Sequence, residues 1–110
     1  MYEYRAYVRK VYDGDTVTVD IDLGFGILLR NQRLRLWGVN TPEIRGESRK
    51  LGLKVRDIVR ERISNKWITV RTLKDKKGKY GRWLAVIYEN KSEESLNSWL
   101  LKEGHAIEYK

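Results

Sequence analysis

The sequence predicts a mainly β fold of the α+β class: five short strands closing a small Greek-key barrel, one helix between strands three and four, and a short helix near the C-terminal end. Two patterns carry this reading. Over several short stretches bounded by turn residues, apolar and polar residues alternate, the period of a half-buried strand. Over 48–63 the period changes, with Leu51, Val55, Ile58, Val59 and Ile63 spaced by one, three or four residues, as on the buried face of a helix.

Taken in order, Tyr4, Ala6, Val8 and Val11 form a broken alternation that predicts the first strand over 4–12. Asp13-Gly14 reads as a two-residue hairpin turn. Val17, Val19 and Ile21 alternate with Thr16, Thr18 and Asp20 in the second strand, and Leu23-Gly24-Phe25-Gly26 makes the next turn. The third strand runs through Leu34 and Leu36 toward Val39, with Arg33 and Arg35 on the face opposite the leucines. Ser48 is the expected N-cap of the helix that ends near Ile63. Residues 67–73 form the fourth strand, 74–79 a polar loop and 83–88 the fifth strand. A helix from about Ser92 buries Leu96, Trp99 and Leu100 and stops at Gly104. The four tryptophans fall within strand or helix patterns and read as core. Five strands interrupted by one helix fit the OB-type barrel, which commonly presents a nucleic-acid-binding face. With no linker or repeat, the chain reads as one domain over 1–110.

Composition narrows the chemistry. No cysteine is present, which removes disulfides, thiol catalysis and cysteine-ligated zinc, and a lone His105 removes histidine triads and two-histidine metal sites. Any reaction must come from carboxylates, arginines, hydroxyls and a bound ion. Lys and Arg number 23 against 15 Asp and Glu, a formal net charge of +8 that favours polyanionic partners. No apolar run has the length of a membrane span. Met1 leads straight into Tyr2-Glu3-Tyr4-Arg5 without signal-peptide grammar, so the expectation is a cytoplasmic protein or a secreted one whose leader has been removed.

Phosphodiester hydrolysis without histidine needs a cation on the phosphate, a carboxylate to orient or deprotonate water, and fixed positive charge facing the transition state. Three short blocks supply these types: Asp13-Gly14-Asp15-Thr16, Arg35 through Asn40-Thr41-Pro42-Glu43, and Lys79-Tyr80-Gly81-Arg82. Each residue also has a plainer account. Asp13-Gly14 is explained as hairpin chemistry, Thr41-Pro42-Glu43 as a turn carrying an exposed acid, and Arg35 and Arg82 as solvated cations. Asp15 resists the plain account, because it shares parity with Val17 and Val19 and an unpaired carboxylate on an inward face is costly.

In type, order and spacing these blocks resemble the signature of the staphylococcal nuclease (thermonuclease) family, and the similarity continues through Leu84-Ala85-Val86-Ile87-Tyr88. The resemblance implies an OB barrel, calcium as the ion, and DNA and RNA, single-stranded or frayed, as substrates. It implies Asp15 and the Thr41 carbonyl as direct calcium ligands and Asp13 as an outer-shell partner acting through water. Glu43 becomes the residue that positions or deprotonates the attacking water, and Arg35 and Arg82 the phosphate-binding cations. Lys79 and Tyr80 would contact the nucleotide. Attack in line with the 5′ oxygen would leave 3′-phosphates, the work of a monomer without a membrane partner.

Two features depart from the family pattern. Asn40 stands where the family usually has an aspartate metal ligand; its amide oxygen can coordinate, but one negative charge is gone. The sequence ends at Lys110, before any counterpart of the third helix of the best-known members. Two other readings are open. A non-catalytic nucleic-acid-binding module derived from the nuclease fold would fit Asn40 but not the retention of Arg35, Glu43 and Arg82. A peptide-recognition module would need an aromatic cage or an exposed apolar stripe, and neither is visible in the sequence.

Overall fold

The computed structural model describes residues 2–77, 83–89 and 92–109. Five strands close a barrel in the order β1 (Tyr2–Asp13), β2 (Thr16–Asp22), β3 (Leu28–Leu36), β6 (Trp83–Tyr88) and β5 (Trp67–Lys77). All neighbours are antiparallel except β3 and β6, where Leu34, Arg35 and Leu36 lie in parallel register with Trp83, Leu84 and Ala85. Helix α1 (Arg49–Ile63) separates β3 from β5 in sequence, and α2 (Leu96–Lys102) follows β6. The two-residue strands β4 (Val39–Asn40) and β7 (Ile107–Glu108) pair with each other outside the barrel. This is the OB-type α+β fold that the hydrophobic pattern predicts. No helix among the described residues is long and apolar enough to cross a membrane.

The broken alternation of the first strand has a structural cause. Ala6, Val8 and Val11 are all buried, and the register against β2 slips between Val8 and Lys10. A bulge of this kind inserts one residue and returns the next apolar side chain to the core. Core packing then draws on β2, β3, β5 and β6 through Val17, Val19, Leu34, Leu36, Ile68, Val70 and Ile87, all at or below 2% exposure. Helix α1 covers the barrel with Gly52, Val55, Val59 and Ile63. Asp20 is also buried, where its carboxylate accepts from Arg9 Nε at 2.6 Å and from the Asn31 amide at 3.0 Å. Those hydrogen bonds, the Asn31 amide first, hold its pKa below the usual carboxylate value.

Several sequence expectations need correction. The β1–β2 turn is Gly14-Asp15, flanked by the paired Asp13 and Thr16, not Asp13-Gly14. The third strand ends at Leu36, and Val39 belongs to β4 beyond a turn in which Gly38 has φ 79°. Strand β5 extends to Lys77 through most of the expected polar loop, with Lys77 in register with Trp83 of β6 after a break in register beyond Thr72. Helix α2 begins at Leu96, where Ser95 caps it by accepting from the Ser98 amide at 3.0 Å. Leu51 is exposed, as are Trp37 and Trp67, so the helix stripe and the tryptophan core are narrower than their periods suggest. An exposed apolar stretch does exist: Leu23, Phe25, Ile27, Leu28 and Leu29 at the β2–β3 hairpin.

The contrast between two leucines tests this packing. Leu34→Ala should lower unfolding stability by about 2–5 kcal/mol, the range for emptying a core leucine site. Leu51→Ala should stay within about 0.5 kcal/mol of the parent protein. Urea denaturation of the two variants decides it; equal losses would contradict the orientation of α1.

Candidate active site

The turn between β1 and β2 brings the first acidic block to one pole of the barrel. Asp15 is 5% exposed, and each of its carboxylate oxygens is engaged. Its Oδ1 accepts from the Thr16 hydroxyl at 3.2 Å, and its Oδ2 accepts from the Thr41 amide at 2.9 Å. Arg35 Nη2 lies 3.5 Å from the same Oδ2. Asp13 stands behind, accepting from the Asp15 amide at 3.1 Å. Burial, then the neighbouring Asp15 carboxylate, pushes the Asp13 pKa up to about 6. Two carboxylates thus compete for one small volume at the end of the hairpin.

Arg35 was expected on a face opposite the leucines, and it is there, yet only 9% exposed. Its Nη1 donates to the carbonyls of Leu36 and Val39, both at 2.8 Å. Its Nη2 donates to Asn40 Oδ1 at 3.3 Å, and the Tyr109 ring centroid lies 5.4 Å from the guanidinium carbon. A solvated surface cation is therefore excluded for Arg35. The guanidinium ties the 36–40 turn to the β1–β2 hairpin and keeps Nη2 on the longer, weaker contacts.

Thr41 is 3% exposed, and its hydroxyl oxygen is buried with no hydrogen-bond partner among the described residues. Such an orphaned group costs about 1–3 kcal/mol. Glu43 is exposed and lines a groove of about 540 Å³ together with Asp13 and Thr16. Asp13, Asp15, Arg35, Asn40 and Thr41 are therefore joined by direct contacts, and Glu43 borders the same end. Lys79, Tyr80 and Arg82 lie outside the described residues.

The donor set is of the kind a hard cation takes. Asp15 Oδ2 and Asn40 Oδ1 gather on one guanidinium nitrogen, the Thr41 amide is bonded to Asp15, and the Thr41 hydroxyl has no partner among the described residues. No three His, Cys, Asp or Glu side chains converge to hold a metal among the described residues, so an ion here would draw its other oxygens from amides, carbonyls, water or substrate. Calcium accepts such mixed oxygen ligands and irregular geometry. The residues present fit the ion that the sequence resemblance implies.

Four residues that position this site give no direct sign of that role in the sequence. A Cβ built on Gly52 of α1 would stand 2.2 Å from the Glu43 carbonyl oxygen, so the helix must carry glycine where the Glu43 backbone crosses it. Ser48, the expected N-cap, makes no side-chain capping bond and instead donates its hydroxyl to that same carbonyl at 3.0 Å. Gly14 is constrained similarly, since its Cβ would meet Thr41 and Val55 side-chain carbons at 2.8 Å. Asn97 is buried in α2; its Nδ2 donates to the carbonyls of Trp37 and Ala85, and its Oδ1 accepts from the Ile87 amide. It fastens the Trp37–Gly38 turn to β6. The available signals were a glycine in mid-helix and an amide within an apolar stripe.

A closed OB barrel with an acidic hairpin turn, a buried arginine and a Thr-Pro-Glu loop at one pole has the layout of a nuclease-type barrel. Residues 33–110 match the family model described as "Staphylococcal nuclease homologue", and the chain belongs to that family. It is 34% identical over 102 residues to a thermonuclease of Staphylococcus hyicus and 31% identical over 102 residues to one of Staphylococcus intermedius, in each case covering 90% of this chain and 56% of the relative. It is also 33% identical over 129 aligned positions to an uncharacterized protein of Methanocaldococcus jannaschii, covering 96% of this chain and 59% of that one. The chain thus spans a little over half the length of these relatives.

The close approach of Gly52 to Glu43 makes a prediction opposite to helix propensity. Alanine is the better helix former by about 1 kcal/mol, yet Gly52→Ala should lose about 1–3 kcal/mol through backbone displacement. Chemical denaturation measures it, and a variant more stable than the parent would refute the contact.

Proposed function

We propose that the protein is a calcium-dependent nuclease that hydrolyses phosphodiester bonds of DNA and RNA, acting as a monomer on single-stranded or frayed stretches and leaving 3′-phosphates. One observation carries the reading: Arg35 Nη2 reaches Asp15 Oδ2 at 3.5 Å and Asn40 Oδ1 at 3.3 Å while Asp15 accepts from the Thr41 amide. Membership of the nuclease family supports it.

Residues of this chain divide the work. Arg35, locked through Nη1, offers a fixed positive charge to a phosphate oxygen. Because it needs no reorganisation as negative charge grows, it favours the pentacoordinate transition state over the ground state. Glu43 borders the groove and takes a proton from the attacking water as the new O–P bond forms. The bond from phosphorus to the 5′ oxygen breaks, that oxygen takes up a proton from solvent to become a hydroxyl, and the phosphate stays on the 3′ side. Asp15, Asn40 and the Thr41 carbonyl would hold calcium, with Asp13 acting through water; when bound, the ion polarises the phosphate. Arg82 is assigned the second phosphate contact, and Lys79 and Tyr80 the nucleotide, by their positions in the family signature.

Incubation with plasmid, single-stranded oligonucleotide and RNA, with calcium and with chelator, tests the activity. Cleavage only with calcium is expected, whereas calcium-independent binding without cleavage would favour the non-catalytic binding module. Glu43→Gln should lower turnover by roughly 10²–10⁴-fold with the fold intact. Arg35→Lys should lose a similar factor, since an ammonium cannot reach two carbonyls and a phosphate at once. Near-parental single-turnover rates in both variants would remove these assignments.

Asn40→Asp probes the departure from the family. An added carboxylate raises ligand charge, so calcium should bind more tightly, most clearly without nucleotide. Calorimetric titration with and without a nucleotide bisphosphate measures the difference. Unchanged or weaker binding in the variant would take residue 40 out of the ion's ligand set.

A further inference from the structure

Beyond the reacting pole, the groove that holds Glu43 continues over the outer face of the barrel, where Lys10, Tyr12, Thr18, Arg33 and Arg45 line it. We propose that this stretch is a second subsite, which grips the nucleotides on one side of the scissile bond of a single strand. In it, Lys10 and Arg33 hold flanking phosphates and Tyr12 stacks on a base. The inference rests on the nuclease reading for the position of the scissile bond.

Strand register makes the row. Lys10 of β1 is paired with Thr18 of β2, and Thr18 with Arg33 of β3, so the three side chains cross adjacent strands on one face. Two strand spacings put the backbones of Lys10 and Arg33 about 10 Å apart, with the small Thr18 between them as a floor. Cations also outnumber acids in the groove. Lys10, Arg33 and Arg45 have no carboxylate within ion-pair distance among the described residues. Against the two acids of the lining, Asp13 and Glu43, they leave an excess of positive charge that a polyanion relieves.

Tyr12 adds what a simple anion site would not need. It is 42% exposed at the groove, and its hydroxyl accepts from Arg45 Nη2 at 3.1 Å. The polar tip is occupied, which leaves the ring as the free part of the side chain. A basic track with an aromatic platform is how sequence-tolerant single-strand sites are built, with stacking contributing to each base held. The groove's volume of about 540 Å³ lies in the range of ligand sites. Because Asp13 and Glu43 close one end of it, a strand lying there leads directly to the reacting phosphate.

The test separates this subsite from the reaction itself. Binding of a twelve-nucleotide single strand is followed by fluorescence anisotropy with calcium across a salt series, in a Glu43→Gln background that slows turnover. Adding Lys10→Ala and Arg33→Ala together should weaken binding about tenfold or more. The log–log salt slope should shrink by roughly 1.4, from about 0.7 per phosphate contact on a single strand. Lys50→Ala with Lys54→Ala, which removes the same charge from the exposed face of α1, should have a much smaller effect. Tyr12→Ala should weaken binding and Tyr12→Phe should largely restore it. With Glu43 intact, the groove variants should lower the ratio of kcat/KM for the oligonucleotide to that for a single-nucleotide aryl phosphodiester about tenfold. Equal effects of the groove and α1 pairs, an unchanged salt slope, or an unchanged ratio would overturn the subsite. If the parent protein cleaves neither substrate, the nuclease reading fails, while the binding arm still decides whether the groove holds a strand.

Discussion

Burying a guanidinium beside a carboxylate removes both from water, a loss that only good geometry and further hydrogen bonds offset. Arg35 and Asp15 meet that demand by recruiting the backbone around them. Arg35 takes the Leu36 and Val39 carbonyls, Asp15 takes the Thr41 amide, and the Asp15 carbonyl accepts the Leu36 amide at 2.9 Å. The charges therefore fix the path of 36–41 more firmly than its short strand could. Through that path they also place Asn40, and the chain runs on from Thr41 to the Glu43 backbone packed on Gly52. Removal of either charge would strand the other in a nearly water-free setting, with the turn's carbonyls or amide left unpaired.

Much of this was legible in the sequence. Strand and helix periods located the five strands along the chain and α1 between the third and fourth, because burial on one face imposes its period on composition. Asp15 stood out because it shares parity with Val17 and Val19, and it is buried, although it sits in the turn and not in the strand. The family signature then grouped Asp15, Arg35, Thr41 and Glu43, and the fold brings all four to one pole.

What escaped the sequence depends on contacts between distant segments. Period cannot say how wide a helix's buried face will be, so Leu51 looked like core when Gly52 is the residue pressed against the Pro42-Glu43 backbone. A tryptophan in a strand pattern is not thereby buried, as Trp37 and Trp67 demonstrate; Trp67 instead packs edge-on to Tyr7 under Arg5. Asn97 reads as a blemish in an apolar helix until its amide is seen bridging Trp37 and Ala85. The two-residue β7 has no period at all, since its existence depends on β4 as a partner.

That last strand imposes an order in time. Asp13, Asp15, Arg35, Asn40, Thr41 and Glu43 all precede α1, yet residues 107–109 complete their surroundings. Ile107 pairs with Asn40, the Tyr109 amide donates to the Gly38 carbonyl at 2.9 Å, and the Tyr109 ring sits over Arg35. The parallel β3–β6 seam, joining Leu34 to Trp83, likewise waits for most of the chain. Contacts so distant in sequence form late, after the entropy of closing a long loop has been overcome. A chain emerging from the ribosome carries Asp13 to Glu43 before it carries the residues that hold them in register.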